Sequence, residues 1–257
     1  MSDTIDYLLT ISFIILPLLG GFFTVYMFYK RDVLEKEPKK LVLKTFLWGV
    51  AMGLVIISIS IPTYFVAERL ITKLSKDWAI ICFMLSLVIV IAIIEELIKG
   101  FALRYLCQKG LSREINGLFD GFFYGVILGT GTGVIDSVAY SILATDWFEN
   151  LRIVVIKYVR VSGTHALFTG LVGLFFVWKQ LEGKKAVYGF LIAIELHIVW
   201  SCVTYILYYY LTMPWVLYLT NFSIAAIYLT GMFVLPFFLI KADKTFTTIE
   251  VQTKKNQ

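Results

Sequence analysis

Two adjacent glutamates, a lysine one turn further on, and two isolated histidines are the residues of this 257-residue chain whose types and spacing could do chemistry. Glu95 and Glu96 follow the apolar run 79–94, and the apolar pattern continues past Lys99 through Gly100-Phe101-Ala102-Leu103. His165 and His197 are the chain's 2 histidines, each near the middle of another apolar run. Ionisable groups inside a membrane span cost about 2.5–3.5 kcal/mol each on insertion scales, which makes them functional candidates. Glu95 and Lys99 stand four apart and share a helix face. Lys99 can stabilise the charge of one carboxylate and so set the pair apart as a general base and a proton-carrying partner. The same residues also fit a salt-bridged group snorkelling at a helix end, and a buried histidine can be an interhelical hydrogen-bonder and nothing more.

Other ionisable groups in apolar runs are few: Asp120 and Asp136 in one, Lys157 and Arg160 in the run of His165, and Glu195 in the run of His197. Each histidine has a hydroxyl one turn on, Thr169 after His165 and Ser201 after His197. Asp120 and Asp136 are ~24 Å apart along a straight helix, too far to share one site. Arg160 needs an acidic partner, and Asp136, toward the same end of its span, fits as a structural one. Glycines at 117, 121, 125, 129, 131 and 133 read as a packing face on which helix backbones approach closely.

These residues must be positioned by membrane helices. Hydrophobic residues make up 59% and charged residues 16%, against roughly 45–50% and about 25% in soluble domains, and the mean hydropathy is +0.82. That excludes a water-soluble globule, a disordered chain and a disulfide scaffold. The apolar runs are continuous rather than alternating, which excludes an outer-membrane barrel. The predicted fold is an all-α polytopic bundle with about seven spans, 7–29, 41–66, 78–106, 117–144, 153–178, 186–211 and 215–240, each able to cross a core of about 30 Å. Residues 1–240 form one membrane domain, and 241–257 a polar cytoplasmic tail. Asp3 and Asp6, with no basic residue before the first run, predict a span there rather than a cleaved leader. Cys82, Cys107 and Cys202 lack metal-ligand spacing and read as small apolar residues. With the N-terminus outside, the inner segments hold all of the 23 Lys and Arg residues except Arg69, Lys73, Lys76, Arg152, Lys157 and Arg160. This asymmetry predicts N-out, C-in.

In order along the chain, Arg31-Asp32 to Glu37-Pro38, Glu95-Glu96-Leu97-Ile98-Lys99, Phe119-Asp120-Gly121-Phe122-Phe123-Tyr124-Gly125, His165-Ala166-Leu167-Phe168-Thr169 and His197 resemble the motifs of the PrsW family of glutamic-type intramembrane proteases. That family is related to the CAAX prenyl proteases and bacteriocin-processing membrane enzymes. Asp136-Ser137 stands where the family has Glu-Asn, and Ser201 where it has Asn. The resemblance implies hydrolysis of a peptide bond in or beside a membrane-anchored segment. Glu95, Glu96, His165 and His197 are then the catalytic residues, and Lys99, Asp120, Asp136, Arg160, Thr169 and Ser201 support them. One glutamate would activate water, His165 would position it or shuttle its proton, and His197 with Ser201 would face the oxyanion. It implies no cofactor and no metal, a multi-pass protein of a prokaryotic plasma membrane, and a membrane protein substrate such as an anti-sigma factor. No nucleic-acid partner is expected.

Other readings remain open. Glu95 or Glu96, His165 and His197 could be three zinc ligands, although no His-Glu-x-x-His is present. A proton-coupled transporter would show internal repeats, and none is evident. A retinal receptor would need a lysine in the last span, which has none. A catalytically silent membrane scaffold or transport protein of the same fold is the last.

Overall fold

The computed structural model describes residues 2–32, 36–74, 77–143, 163–182, 186–210, 226 and 230–244. Among them every regular element is a helix: α1 Ser2–Arg31, α2 Lys39–Ile71, α3 Asp77–Lys109, α4 Leu118–Leu143, α5 Gly163–Glu182, α6 Val187–Tyr210 and α7, 230–244. Each overlaps one predicted apolar run in the predicted order. Three stretches, Lys39–Ile71, Asp77–Lys109 and Leu118–Ala139, are long and apolar enough to cross a membrane. The 33 residues of α2 and of α3 extend about 50 Å each at ~1.5 Å per residue, more than a hydrocarbon core requires.

The bundle is built around α4. In its apolar stretch 89% of the residues are buried, against 17% in α2 and in α3. The apolar side chains on the outside are large: Leu43, Leu47, Leu54, Phe65, Phe101 and Val199 are all more than half exposed. Water would not tolerate so extended an apolar surface, whereas lipid is its matching solvent.

Glycine lets α4 occupy the centre. A Cβ at Gly121, Gly125 or Gly129 would collide with the backbone carbonyl of Gly173, Thr169 or His165 on α5, and one at Gly131 with that of Phe46 on α2. The predicted packing face is therefore two faces, one for each neighbour. Thr132 Oγ1 adds a hydrogen bond to the Gly49 carbonyl of α2 at 3.1 Å. Backbones this close gain dispersion contacts that bulkier residues would prevent. The spacing also fixes depth, because His165 lies level with Gly129.

The Lys/Arg-rich end of the bundle is tied by carboxylates. Asp120 Oδ2 accepts from the Asn116 and Gly117 amides at 2.9 and 2.8 Å. Asp243 of α7 accepts from the Leu118 and Phe119 amides at 3.0 and 2.8 Å. These are amides that a helix start leaves without intrahelical partners, so α4 is capped partly from its own chain turn and partly from a helix far along the sequence. Arg31 Nη1 donates to the Phe233 carbonyl at 3.1 Å and stacks 4.5 Å over the Phe233 ring, joining α1 to α7.

Candidate active site

α3 carries Glu95, Glu96 and Lys99 at the level where α5 presents His165 and α6 presents His197. All but His197 are buried, and His197 keeps a side-chain exposure of 12%. Lys99 Nζ forms a buried ion pair with Glu96 Oε1 and lies 3.0 Å from His165 Nδ1. His197 Nδ1 is 2.7 Å from the same Glu96 oxygen. His197 Nε2 is 3.9 Å from Glu95 Oε2. The two imidazoles stand edge to face, with ring centres 5.6 Å apart. The four residues singled out by sequence thus converge on one place, with Lys99 in the middle.

The pairing differs from the sequence expectation in one respect. Spacing placed Lys99 beside Glu95, yet the lysine takes Glu96. Residues three and four apart are both neighbours on a helix. Glu96 and Lys99 point into the bundle with no side-chain exposure, where an unpaired charge is most costly, while Glu95 sits nearer the edge, at 12%.

Hydrogen bonding sets the proton positions. An ammonium can only donate, so His165 Nδ1 accepts from Lys99 and its ring proton sits on Nε2. A carboxylate only accepts, so His197 Nδ1 donates to Glu96 and its Nε2 is turned toward Glu95. Two buried oxygens, Glu96 Oε2 and Thr169 Oγ1, have no hydrogen-bond partner among the described residues. Phe168 packs on His197 with ring centres 5.6 Å apart and closes the site on that side.

Of the remaining predicted residues, Asp136 is near enough to Glu95 for the two carboxylates to interact electrostatically, and the others are spread out. Asp136 lines a cleft of about 320 Å³ with Ile57, Ser60, Tyr64 and Glu68 of α2. Asp120 caps α4 at the Lys/Arg-rich end, away from the histidines. Ser201 is half-buried one turn beyond His197, and Glu195 is exposed on α6. Arg160, and with it the expected Asp136 pair, lies outside the described residues, as does Lys157.

Sequence reasoning passed over Glu37 and Tyr124 as partners, although both lie in the quoted motifs. The Tyr124 hydroxyl donates to Glu37 Oε2, and the Glu37 amide donates to Asp32 Oδ2 at 2.9 Å. Burial pushes the Glu37 carboxyl up to about 8 from 4.5; the Tyr124 hydrogen bond opposes that, and Asp120, Asp32 and Glu114 add to it. Their order in the motifs was the available signal; their separation of 87 residues hid the contact.

Residues 37–237 match the family described as PrsW family intramembrane metalloprotease. The chain belongs to the PrsW family. The Protease PrsW of Geobacillus kaustophilus (strain HTA426) is 25% identical over 174 residues, which cover 66% of this chain and 69% of that protein. No solved structure gives a significant match. Membership makes this PrsW protein a membrane protease, a hydrolase of peptide bonds.

The family description includes a metal, and the donors can be tested for one. Glu96 Oε1 and His165 Nδ1 both face the Lys99 ammonium, so a dication bound there would meet a fixed positive charge. Among the described residues no group of three His, Cys, Asp or Glu is disposed to hold a metal ion. In this arrangement the residues do not fit one, and no step below runs through a metal.

Proposed function

We propose that this PrsW protein cleaves a peptide bond in or beside the membrane-anchored segment of a protein substrate by direct attack of water activated by Glu95. The observation that carries this reading is the division of labour within the cluster. Glu96 is engaged by Lys99 and His197, whereas Glu95 is nearer the edge and is not bonded to the lysine. A general base must reach the water it deprotonates, and Glu95 is the carboxylate placed to do so.

In the proposed reaction Glu95 takes a proton from water as the water oxygen bonds to the scissile carbonyl carbon. His165 positions the water. The oxyanion is met by the His197 ring, which Glu96 holds in place through Nδ1. The C–N bond then breaks, and the proton held by Glu95 passes to the leaving amine. Fixed donors in a dry site are the largest source of such stabilisation. Thr169 Oγ1 and Glu96 Oε2 offer further polar contacts for the water. An anti-sigma factor is the proposed substrate class, and the proposed setting is a prokaryotic plasma membrane with seven crossings, N-out and C-in.

The test is mass spectrometry of membrane proteins from cells carrying wild type, Glu95→Gln or Glu96→Gln. A new substrate terminus should appear with wild type and vanish with Glu95→Gln. Purified enzyme stripped with chelator should stay active. Activity that disappears on stripping and returns with zinc would sink the Glu95 mechanism and make Glu95 or Glu96, His165 and His197 ligands. A reporter fused after Lys241 and active only outside the cell would reverse the orientation.

A further inference from the structure

Three helices supply the candidate active site, and the same three enclose a separate cleft of about 490 Å³ toward the Lys/Arg-rich end. Arg104 and Gln108 of α3 and Lys179 of α5 reach it, and Phe176, Val187 and Phe190 form its apolar wall. Its size lies within the ~300–1,000 Å³ of small-molecule sites. Lys179 is in the last turn of α5, and Arg104 is near the end of α3, the part of a spanning helix that would meet polar headgroups. The two cations come from different helices and turn to one opening. Neither has a carboxylate partner among the described residues, and no described lining residue is acidic.

We infer that this cleft binds an anionic phospholipid, with the headgroup phosphate between Arg104 and Lys179 and the glycerol and upper acyl chain along Phe176, Val187 and Phe190. Arginine and lysine both bind phosphate oxygens, the arginine with a fixed fork of donors, and Gln108 can donate an amide hydrogen to a phosphate ester. Charge complementarity selects an anionic over a zwitterionic headgroup, and the apolar wall selects a lipid over free phosphate. The occupant bears on the helices above it. Phe190 packs on Phe101 and Phe176 with ring centres 5.9 and 5.5 Å away, and it lies so close to Gly100 that a Cβ there would strike its ring. A bound lipid therefore braces α3 against α6 one residue from Lys99. This inference is independent of the protease chemistry, since binding and not cleavage is read.

The test uses the full chain purified in a neutral detergent and titrated with phosphatidylglycerol, phosphatidylcholine or inorganic phosphate. Bound lipid is followed by native mass spectrometry and the melting temperature by fluorescence. Wild type should retain one phosphatidylglycerol and melt higher with it. The Arg104→Gln/Lys179→Gln variant should bind on the order of ten-fold more weakly, as loss of two interfacial cations implies, and lose the melting shift. Lys40→Gln/Lys44→Gln, which removes equal charge from α2 at the same end, should bind as wild type does. Should the double variant fail to fold, Val187→Asp places an acid in the cleft at an exposed first-turn position where acids favour the helix, and it too should lose the lipid. Equal weakening by the α2 variant, equal retention of phosphatidylcholine, full stabilisation by inorganic phosphate alone, or undiminished binding in Val187→Asp would each overturn the inference.

Discussion

Buried carboxylates occur in two parts of this molecule, and they are held differently. At the Lys/Arg-rich end, Asp32, Asp120 and Asp243 accept from backbone amides, and Glu37 accepts from a phenol. Midway along α3, Glu96 accepts from an ammonium and an imidazole, and Glu95 faces the same imidazole. Backbone amides do not exchange their protons in a reaction cycle, and a carboxylate bound to them is committed to holding a helix start in place. An imidazole can both give and take a proton, so a carboxylate bound to one has a partner through which protons can pass. Under the proposed mechanism burial alone does not separate chemistry from architecture, whereas the identity of the donor does.

The comparison is broken most sharply by neutralising Glu95 in one region and removing the donor to Glu37 in the other. Glu95→Gln keeps size and hydrogen bonding but not proton acceptance, so turnover should fall on the order of 10²–10⁴-fold while the melting temperature holds. If turnover survives while Tyr124→Phe abolishes it, the assignment of the two regions is reversed. Next in size is Gly129→Ala, which adds no charge but drives a methyl into the His165 carbonyl. Displacing α5 by an ångström should cost about 10²-fold in rate. Gly110→Ala serves as its control, because a Cβ there meets nothing closer than 3.6 Å.

Smaller effects are expected at the Lys/Arg-rich end, and on stability rather than rate. Tyr124→Phe removes the donor to Glu37 and should lower unfolding free energy by about 1–3 kcal/mol. Asp243→Ala uncaps α4 and should cost about 0.5–2 kcal/mol. Thermal unfolding in detergent, with rates normalised to folded protein, measures both; a rate change without a stability change would contradict the structural role.

The remaining effect concerns pH. Between about 4.5 and about 8 the folded protein keeps on Glu37 a proton that the unfolded chain has released. Stability from this group is therefore full below that window and is lost as pH rises through it. Glu37→Gln should flatten the fall in melting temperature across that range, and an unchanged slope would assign it to another group.

The helices and the ionisable cluster were legible because charge inside an apolar run is conspicuous in any reading. Glu95, Glu96, His165 and His197 stand out for that reason, and their convergence follows from the cost of leaving them in lipid. Which glutamate Lys99 would choose was not legible, since side-chain direction depends on what the rest of the bundle covers. The Glu37–Tyr124 contact and the Asp243 cap were hidden for the opposite reason. Polar residues at helix ends are ordinary, and nothing in their spacing says that they meet. The glycine series read correctly as packing, but not that it served two partners.

Asp243 also sets an order of events during synthesis. It binds the Phe119 amide across 124 residues of chain, so α4 leaves the ribosome on the order of ten seconds before its cap exists, at about 5–20 residues per second. During that interval the first amides of the central helix must be served by water at the bilayer surface or by the insertion machinery. A nascent chain halted before residue 243 would hold the glutamate and histidine cluster complete in sequence, around a central helix whose entrance is still unsealed.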